Sequence, residues 1–166
     1  MSEPLSGFWH RRVLAPVLAQ LRQGITPEQI ALTLALATVL GIFPILGATT
    51  LLCGIAAWLL RLNQPLIQAA NYLLTPVHLA LLLPFYRAGE ALFGQTHVPI
   101  FSIDELTARF RAAPLQFFID YAMVGVYGIV VWCLIAVPLA ALLFVLLRAL
   151  TRRLARNPPR GALAPR

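Results

Sequence analysis

Three long stretches of this chain, positions 29–60, 62–86 and 121–147, contain no charged residue. Charged residues make up only 11% of the 166 residues, and hydrophobic residues make up 60%, whereas an average soluble domain is about 25% charged. A chain of this size leaves roughly a third of its unfolded surface exposed after folding. Too few polar side chains are present to cover that surface, so the sequence predicts an integral membrane protein whose first partner is the lipid bilayer.

The first uncharged stretch does not match the thickness of a bilayer. As one helix it would be about 48 Å long, whereas the hydrocarbon core is about 30 Å thick and two crossings need about 40 residues. Gly41, Pro44 and Gly47 interrupt it, since proline removes a backbone donor and glycine relaxes the backbone. We expect two helices of about 14 residues each, which form either a re-entrant hairpin or two short, tilted spans.

The second stretch repeats this plan, and the third does not. A polar corner at 61–65 opens the second stretch, which Pro76 interrupts and Pro84 interrupts again. The third stretch, 121–147, is long enough to be a single transmembrane helix, in which Gly125 and Gly128 share a face and permit a close helix contact. Between them, Ser102 and Glu105 indicate the start of a short surface helix, and Thr26 and Gln29 form the capping-box pattern that indicates the start of the first apolar helix.

We therefore predict an all-α, polytopic membrane protein with about four membrane-embedded elements and proline- and glycine-broken helices. The chain divides into five parts: an interfacial amphipathic segment at 1–23, a membrane domain at 24–94, a surface loop and short amphipathic helix at 95–113, a transmembrane helix at 114–150, and a basic, disordered tail at 151–166.

The basic residues indicate topology rather than nucleic-acid binding. All of them are arginines, and they concentrate before the first apolar stretch and after the last one. No zinc-binding or RNA-binding signature accompanies them. The positive-inside rule places both termini in the cytoplasm, which requires an even number of crossings.

Polar side chains within the apolar stretches are the candidate functional residues, because they are costly in lipid. One set recurs at helical spacing, and two threonines after the first break could face it. We call this set the polar seam; it comprises Gln64, Gln68, Asn71, Thr75, His78, Thr49 and Thr50. The seam either lines a cavity near the bilayer midplane or forms hydrogen bonds between helices.

Two arginines are candidates for contact with anionic lipid headgroups, Arg61 at the polar corner and Arg87 after the second stretch. Arg87 can also pair with Glu90 on one helical face and act only as an interfacial anchor. No catalytic motif, metal-ligand set or cofactor-binding pattern is present in the sequence, so we expect no enzyme activity, metal or cofactor.

The pattern of glycine, proline and polar residues that interrupts and flanks the first two stretches resembles that of a bacterial family of small membrane domains, the domain of unknown function 2062. The family pattern combines an early Gly-Pro pair, G-x-x-P-x-x-G, R-x-N-x-P, an Asn-Pro-like break and a closing aromatic-Arg-x-Gly. The matching segments are 24–27, 41–47, 61–65, 75–76 and 86–89. Thr75 replaces the usual Asn. The resemblance implies a role in the bacterial envelope, since the family is sometimes joined to glycosyltransferase-like domains.

Two functions remain open at this stage. Broken helices that meet near the midplane are typical of transporters, which favours a small transporter or lipid-handling protein of the bacterial inner membrane. Four elements enclose little volume, so a pathway would form between the protomers of a homo-oligomer. The alternative is a non-catalytic scaffold or partner subunit for an envelope-biogenesis enzyme.

Overall fold

The computed structural model describes residues 25–96 and 102–156 of the chain. The described residues form only helices, which confirms the all-α prediction. The six helices are α1 (Pro27–Gly41), α2 (Ala48–Leu59), α3 (Gln64–Leu73), α4 (Thr75–Leu92), α5 (Ile103–Ala112) and α6 (Pro114–Arg156). The predicted interfacial segment at 1–23 lies outside the described residues, as does the end of the predicted tail.

Helix α1 begins and ends where its residue types dictate. Thr26 Oγ1 accepts a hydrogen bond from the Gln29 N–H (3.2 Å), and Gln29 Oε1 accepts one from the Thr26 N–H (3.3 Å), so the predicted capping box is present. The helix ends at Gly41, ahead of the predicted Pro44 break. Gly47 then adopts a left-handed conformation with φ of 84° and caps the start of α2. A residue with a side chain would be disfavoured in this conformation.

Side chains from distant helices satisfy backbone carbonyls at this break. The Phe43 N–H donates to Leu40 O (3.2 Å) instead of continuing the helical pattern to Val39. Trp132 Nε1 of α6 donates to Val39 O (3.0 Å), and the Tyr86 hydroxyl of α4 donates to Pro44 O (2.9 Å). The irregular turn is therefore tied to both α4 and α6.

Helices α1 and α2 form a hairpin whose two ends lie together. One cavity of about 270 Å³ is lined by Ile25 and Gln29 at the start of α1 and by 61–63 after α2. Ala37, Cys53, Ala57 and Ile67 form a buried cluster between α1, α2 and α3. Helix α3 runs parallel to α1, since Leu66 packs against Ile30 near their starts.

The second break bends the chain sharply between α3 and α4. The two helices meet at Leu74 with a bend of 62°, so the break comes before Thr75, just ahead of the interruption that Pro76 predicts. Pro76 lies in the first turn of α4, where a missing N–H is harmless. Pro84 lies inside α4 without ending it.

One helix, α6, is long and apolar enough to cross a membrane on its own. Only 6% of its most apolar 18-residue window is buried inside the protein, which is unlike the core helix of a soluble domain. The α3–α4 pair passes the same test when its two bent helices are taken together, and α1 and α2 are shorter. Four separate crossings remain a prediction.

Helix α6 runs antiparallel to α1 and continues past the predicted boundary at 150. The Thr151 hydroxyl donates to Pro27 O (3.0 Å), and Arg152 Nε donates to Glu28 Oε1 (2.7 Å). Arg148 Nε lies 3.7 Å from the same carboxylate oxygen. The first six residues of the predicted disordered tail are therefore helical, because these contacts hold them against the start of α1.

Close contacts between α4 and α6 depend on two glycines. A Cβ atom at Gly89 would lie 2.6 Å from the backbone carbon of Tyr127, and one at Gly128 would lie 2.8 Å from the Tyr86 ring. A Cβ atom at Gly125 would have no neighbour within 4 Å. Gly128 thus makes the predicted close contact.

The substitution Gly89→Ala tests this packing, with Gly125→Ala as the matched control. We expect Gly89→Ala to destabilise the fold by about 1–3 kcal/mol, because a methyl group cannot fit against the Tyr127 backbone. Gly125→Ala adds the same methyl group in open space, where alanine favours helix by up to about 1 kcal/mol. Thermal unfolding in detergent measures both; equal unfolding midpoints would contradict the close approach.

The Glu28–Arg152 pair predicts a pH dependence of stability. The hydrogen bond from Arg152 is the main cause that lowers the pKa of Glu28 below its ordinary value of 4.5. A carboxyl group with a lowered folded pKa stabilises the fold above its unfolded pKa, and this contribution is lost as the pH falls through the folded pKa. The unfolding midpoint of the native chain should therefore fall more between about pH 6 and about pH 3 than that of Glu28→Gln. Parallel profiles would contradict the role of the pair.

Candidate functional site

The centre of the polar seam is a set of hydrogen bonds between α2 and α3. Gln68 Nε2 donates to the Thr50 carbonyl (3.0 Å), and Asn71 Nδ2 donates to the Thr50 hydroxyl (3.4 Å). Asn71 is only 3% exposed. A Cβ atom at Gly41 would lie 3.1 Å from Asn71 Oδ1, so the absence of a side chain at Gly41 leaves room for the Asn71 amide beside α1.

The other members of the seam do not extend it as one surface. Gln64 and Thr75 are exposed, while Thr49 and His78 are buried. The 62° bend before Thr75 turns α4 away from the axis of α3, so a stripe calculated for one straight helix ends at Asn71. The structure brings together Gln68, Asn71 and Thr50 by hydrogen bonds.

The cavities of this region lie beside the seam and not on it. A groove of about 440 Å³ at the α3–α4 break is lined by Ala69, Tyr72, Leu73 and Pro76. Of the predicted site residues, the groove contains Pro76 alone. Gln68 and Asn71 line neither this groove nor the cavity at the start of α1.

The two arginines predicted to contact headgroups have different surroundings. Arg61 is exposed at the corner between α2 and α3, with a positive φ of 52°, and it lines the cavity at the start of α1. Arg87 Nη1 donates to Glu90 Oε2 (2.7 Å), which confirms the predicted pairing. Glu90 has no exposed side-chain surface, and Arg87 retains 29%.

A second polar site lies where α4, α5 and α6 meet. Glu90, Arg109 and Asp120 line a common cavity of about 210 Å³. We call it the mixed-charge cavity. Residue spacing does not reveal it, because these side chains come from three separate helices. Two hints are visible in the sequence: Asp120 directly precedes the third apolar stretch, and Glu90 lies shortly after the second one.

These arrangements can hold helices together and bind a ligand. Within 25–96 and 102–156, no three or more His, Cys, Asp or Glu side chains are grouped so that they could hold a metal ion. Cys53 is buried and Cys133 is exposed on α6. The mixed-charge cavity combines carboxylates with a guanidinium group, which suits a ligand that carries both charges.

Comparison with known proteins identifies a family. The family described as "Uncharacterized protein conserved in bacteria (DUF2062)" matches residues 10–158, which extends well beyond the segment at 24–94 on which the sequence resemblance rests. No curated protein and no solved structure matches the chain.

Proposed function

The chain belongs to this bacterial family, and we propose that it is a non-catalytic membrane scaffold of the bacterial inner membrane, a subunit that holds a partner protein of envelope biogenesis. The observation that carries this proposal is the hydrogen bonding of Gln68 and Asn71 to Thr50. A transport pathway along the seam needs amide groups that face water. Here the NH2 group of each amide donates a hydrogen bond to Thr50 of a neighbouring helix, as expected for groups that hold helices together.

The contacts between helices support a topology of one re-entrant hairpin and two crossings. Helices α1 and α2 start and finish beside the same cavity, and α1 at 15 residues is about 22 Å long, which is short of the hydrocarbon thickness of about 30 Å. The α3–α4 pair and α6 would be the two crossings. This arrangement has an even number of crossings, so both termini would lie in the cytoplasm, where the arginine-rich end of α6 belongs.

An exposed apolar face would provide the contact surface of such a scaffold. Leu51, Ile55 and Trp58 recur along α2 and are 66%, 44% and 77% exposed. Lipid or a second copy of the chain would cover this face in the membrane. We propose homo-oligomers, in which the face of one protomer contacts its neighbour.

Cysteine labelling distinguishes the scaffold from a transporter. Gln68→Cys and Asn71→Cys, each in a chain without Cys53 and Cys133, should remain unlabelled by a membrane-impermeant maleimide applied from either side. Gln64→Cys on the same helix is the control and should react, because Gln64 is exposed. Thermal unfolding verifies that each variant folds.

Labelling at Gln68→Cys or Asn71→Cys from one side would contradict the sealed seam. It would favour the transporter or lipid-handling function, because it would mean that water reaches the middle of α3.

A further inference from the structure

The mixed-charge cavity lies at one boundary of the apolar part of α6. Asp120 is the last charged residue before the uncharged stretch at 121–147. Met123 and Val124, one turn further along α6, also line the cavity. Its charged groups therefore lie at the level where a membrane changes from headgroups to hydrocarbon, and its apolar lining continues toward the hydrocarbon.

Burying the charged groups of this cavity costs free energy, and their burial differs from the exposure of a simple interfacial anchor. The Glu90 side chain is completely buried, and it lies in the last turn of α4, where the helix dipole disfavours a carboxylate. A buried ionisable group in a membrane domain is a marker of function. Arg87 provides a partner for one carboxylate oxygen at 2.7 Å.

The second carboxylate keeps capacity for a further donor. Gln116 Nε2 donates to Asp120 Oδ1 (2.7 Å), and an ionised carboxylate has about four acceptor positions on its two oxygens. Arg109 pairs with Glu105 (3.0 Å) where both side chains are nearly half exposed. An exposed pair of this kind is weak, at about 0–1 kcal/mol, so Arg109 can exchange it for a ligand.

We propose that the mixed-charge cavity binds an aminoalkyl phosphate group, the headgroup of a zwitterionic aminophospholipid, with the ammonium group at Asp120 and the phosphate at Arg109. An anion alone would meet the Asp120 carboxylate, and a cation alone would meet the guanidinium group. The volume of about 210 Å³ is below the usual 300–1,000 Å³ of drug-sized ligand pockets. It admits a headgroup, while the acyl chains would lie along Met123 and Val124.

The test is lipid titration of the full-length, detergent-purified protein by native mass spectrometry. The three probes are dioleoyl phosphatidylethanolamine, phosphatidylcholine and phosphatidylglycerol, which share their acyl chains. We expect phosphatidylethanolamine to bind about tenfold more tightly than either of the others, because the quaternary ammonium of phosphatidylcholine has no N–H donor and the headgroup of phosphatidylglycerol carries no positive charge. Soluble phosphoethanolamine is then added as a competitor. It displaces the lipid if the headgroup alone is sufficient for binding, and it leaves the lipid bound if the acyl chains contribute. In both cases the preference for phosphatidylethanolamine over the other two lipids supports the proposal.

Variants make the assignment specific. Asp120→Asn and Arg109→Gln should each remove the preference for phosphatidylethanolamine, and the conservative Asp120→Glu should retain part of it. Asp104→Asn and Arg111→Gln on α5 are matched controls, since both residues are exposed and do not line the cavity. Equal affinities for the three lipids, or a preference unchanged in Asp120→Asn with a native unfolding midpoint, would overturn the proposal. The proposal rests on the proposed residence of the protein in a membrane. That premise has its own test, and it fails if the protein stays soluble without detergent.

Discussion

The structure depends on how the backbone carbonyls at the first helix break are satisfied. At membrane depth an unpaired carbonyl costs several kcal/mol, because hydrocarbon offers no donor. Trp132 and Tyr86 supply the donors for Val39 O and Pro44 O, and the Phe43 ring packs edge-on against Trp132 at 5.0 Å. These contacts hold the hairpin against α4 and α6. The small size of Gly128, where a Cβ atom would lie 2.8 Å from the Tyr86 ring, lets that ring approach.

The helices and their breaks could be predicted from local sequence, but the way they assemble could not. Proline and glycine act on their own backbone, so Gly41, Pro44 and Pro76 indicated both breaks, and Thr26 indicated a start. The choice between a re-entrant hairpin and two spans depends on how deeply the hairpin enters the bilayer, because its two ends lie together in both cases. The packing of the hairpin against α4 and α6 depends on contacts between distant residues, such as Trp132 with a carbonyl 93 positions earlier.

The part of the candidate site that lies on one helix could be predicted from local sequence, and the part that depends on helix packing could not. Helical spacing correctly placed Gln68 and Asn71 on one face of α3, and their shared partner Thr50 was among the candidates. Thr75 and His78 follow the bend, so the helical spacing of α3 does not continue to them. It could not reveal the mixed-charge cavity, because Glu90, Arg109 and Asp120 meet only after three helices pack. In this protein the polar groups of the hairpin form hydrogen bonds with a neighbouring helix, and those near the end of α4 line a cavity.

The most direct test is to determine on which side of the membrane the chain leaves the α1–α2 hairpin. A single cysteine at Arg61, between α2 and α3, and another at Arg153, near the end of α6, can each be placed in a chain without native cysteines. In oriented membrane vesicles, the account predicts that an impermeant maleimide labels both positions from the same side, since α1 and α2 enter and leave together and α1 begins beside the end of α6. Labelling of the two positions from opposite sides would contradict the re-entrant hairpin.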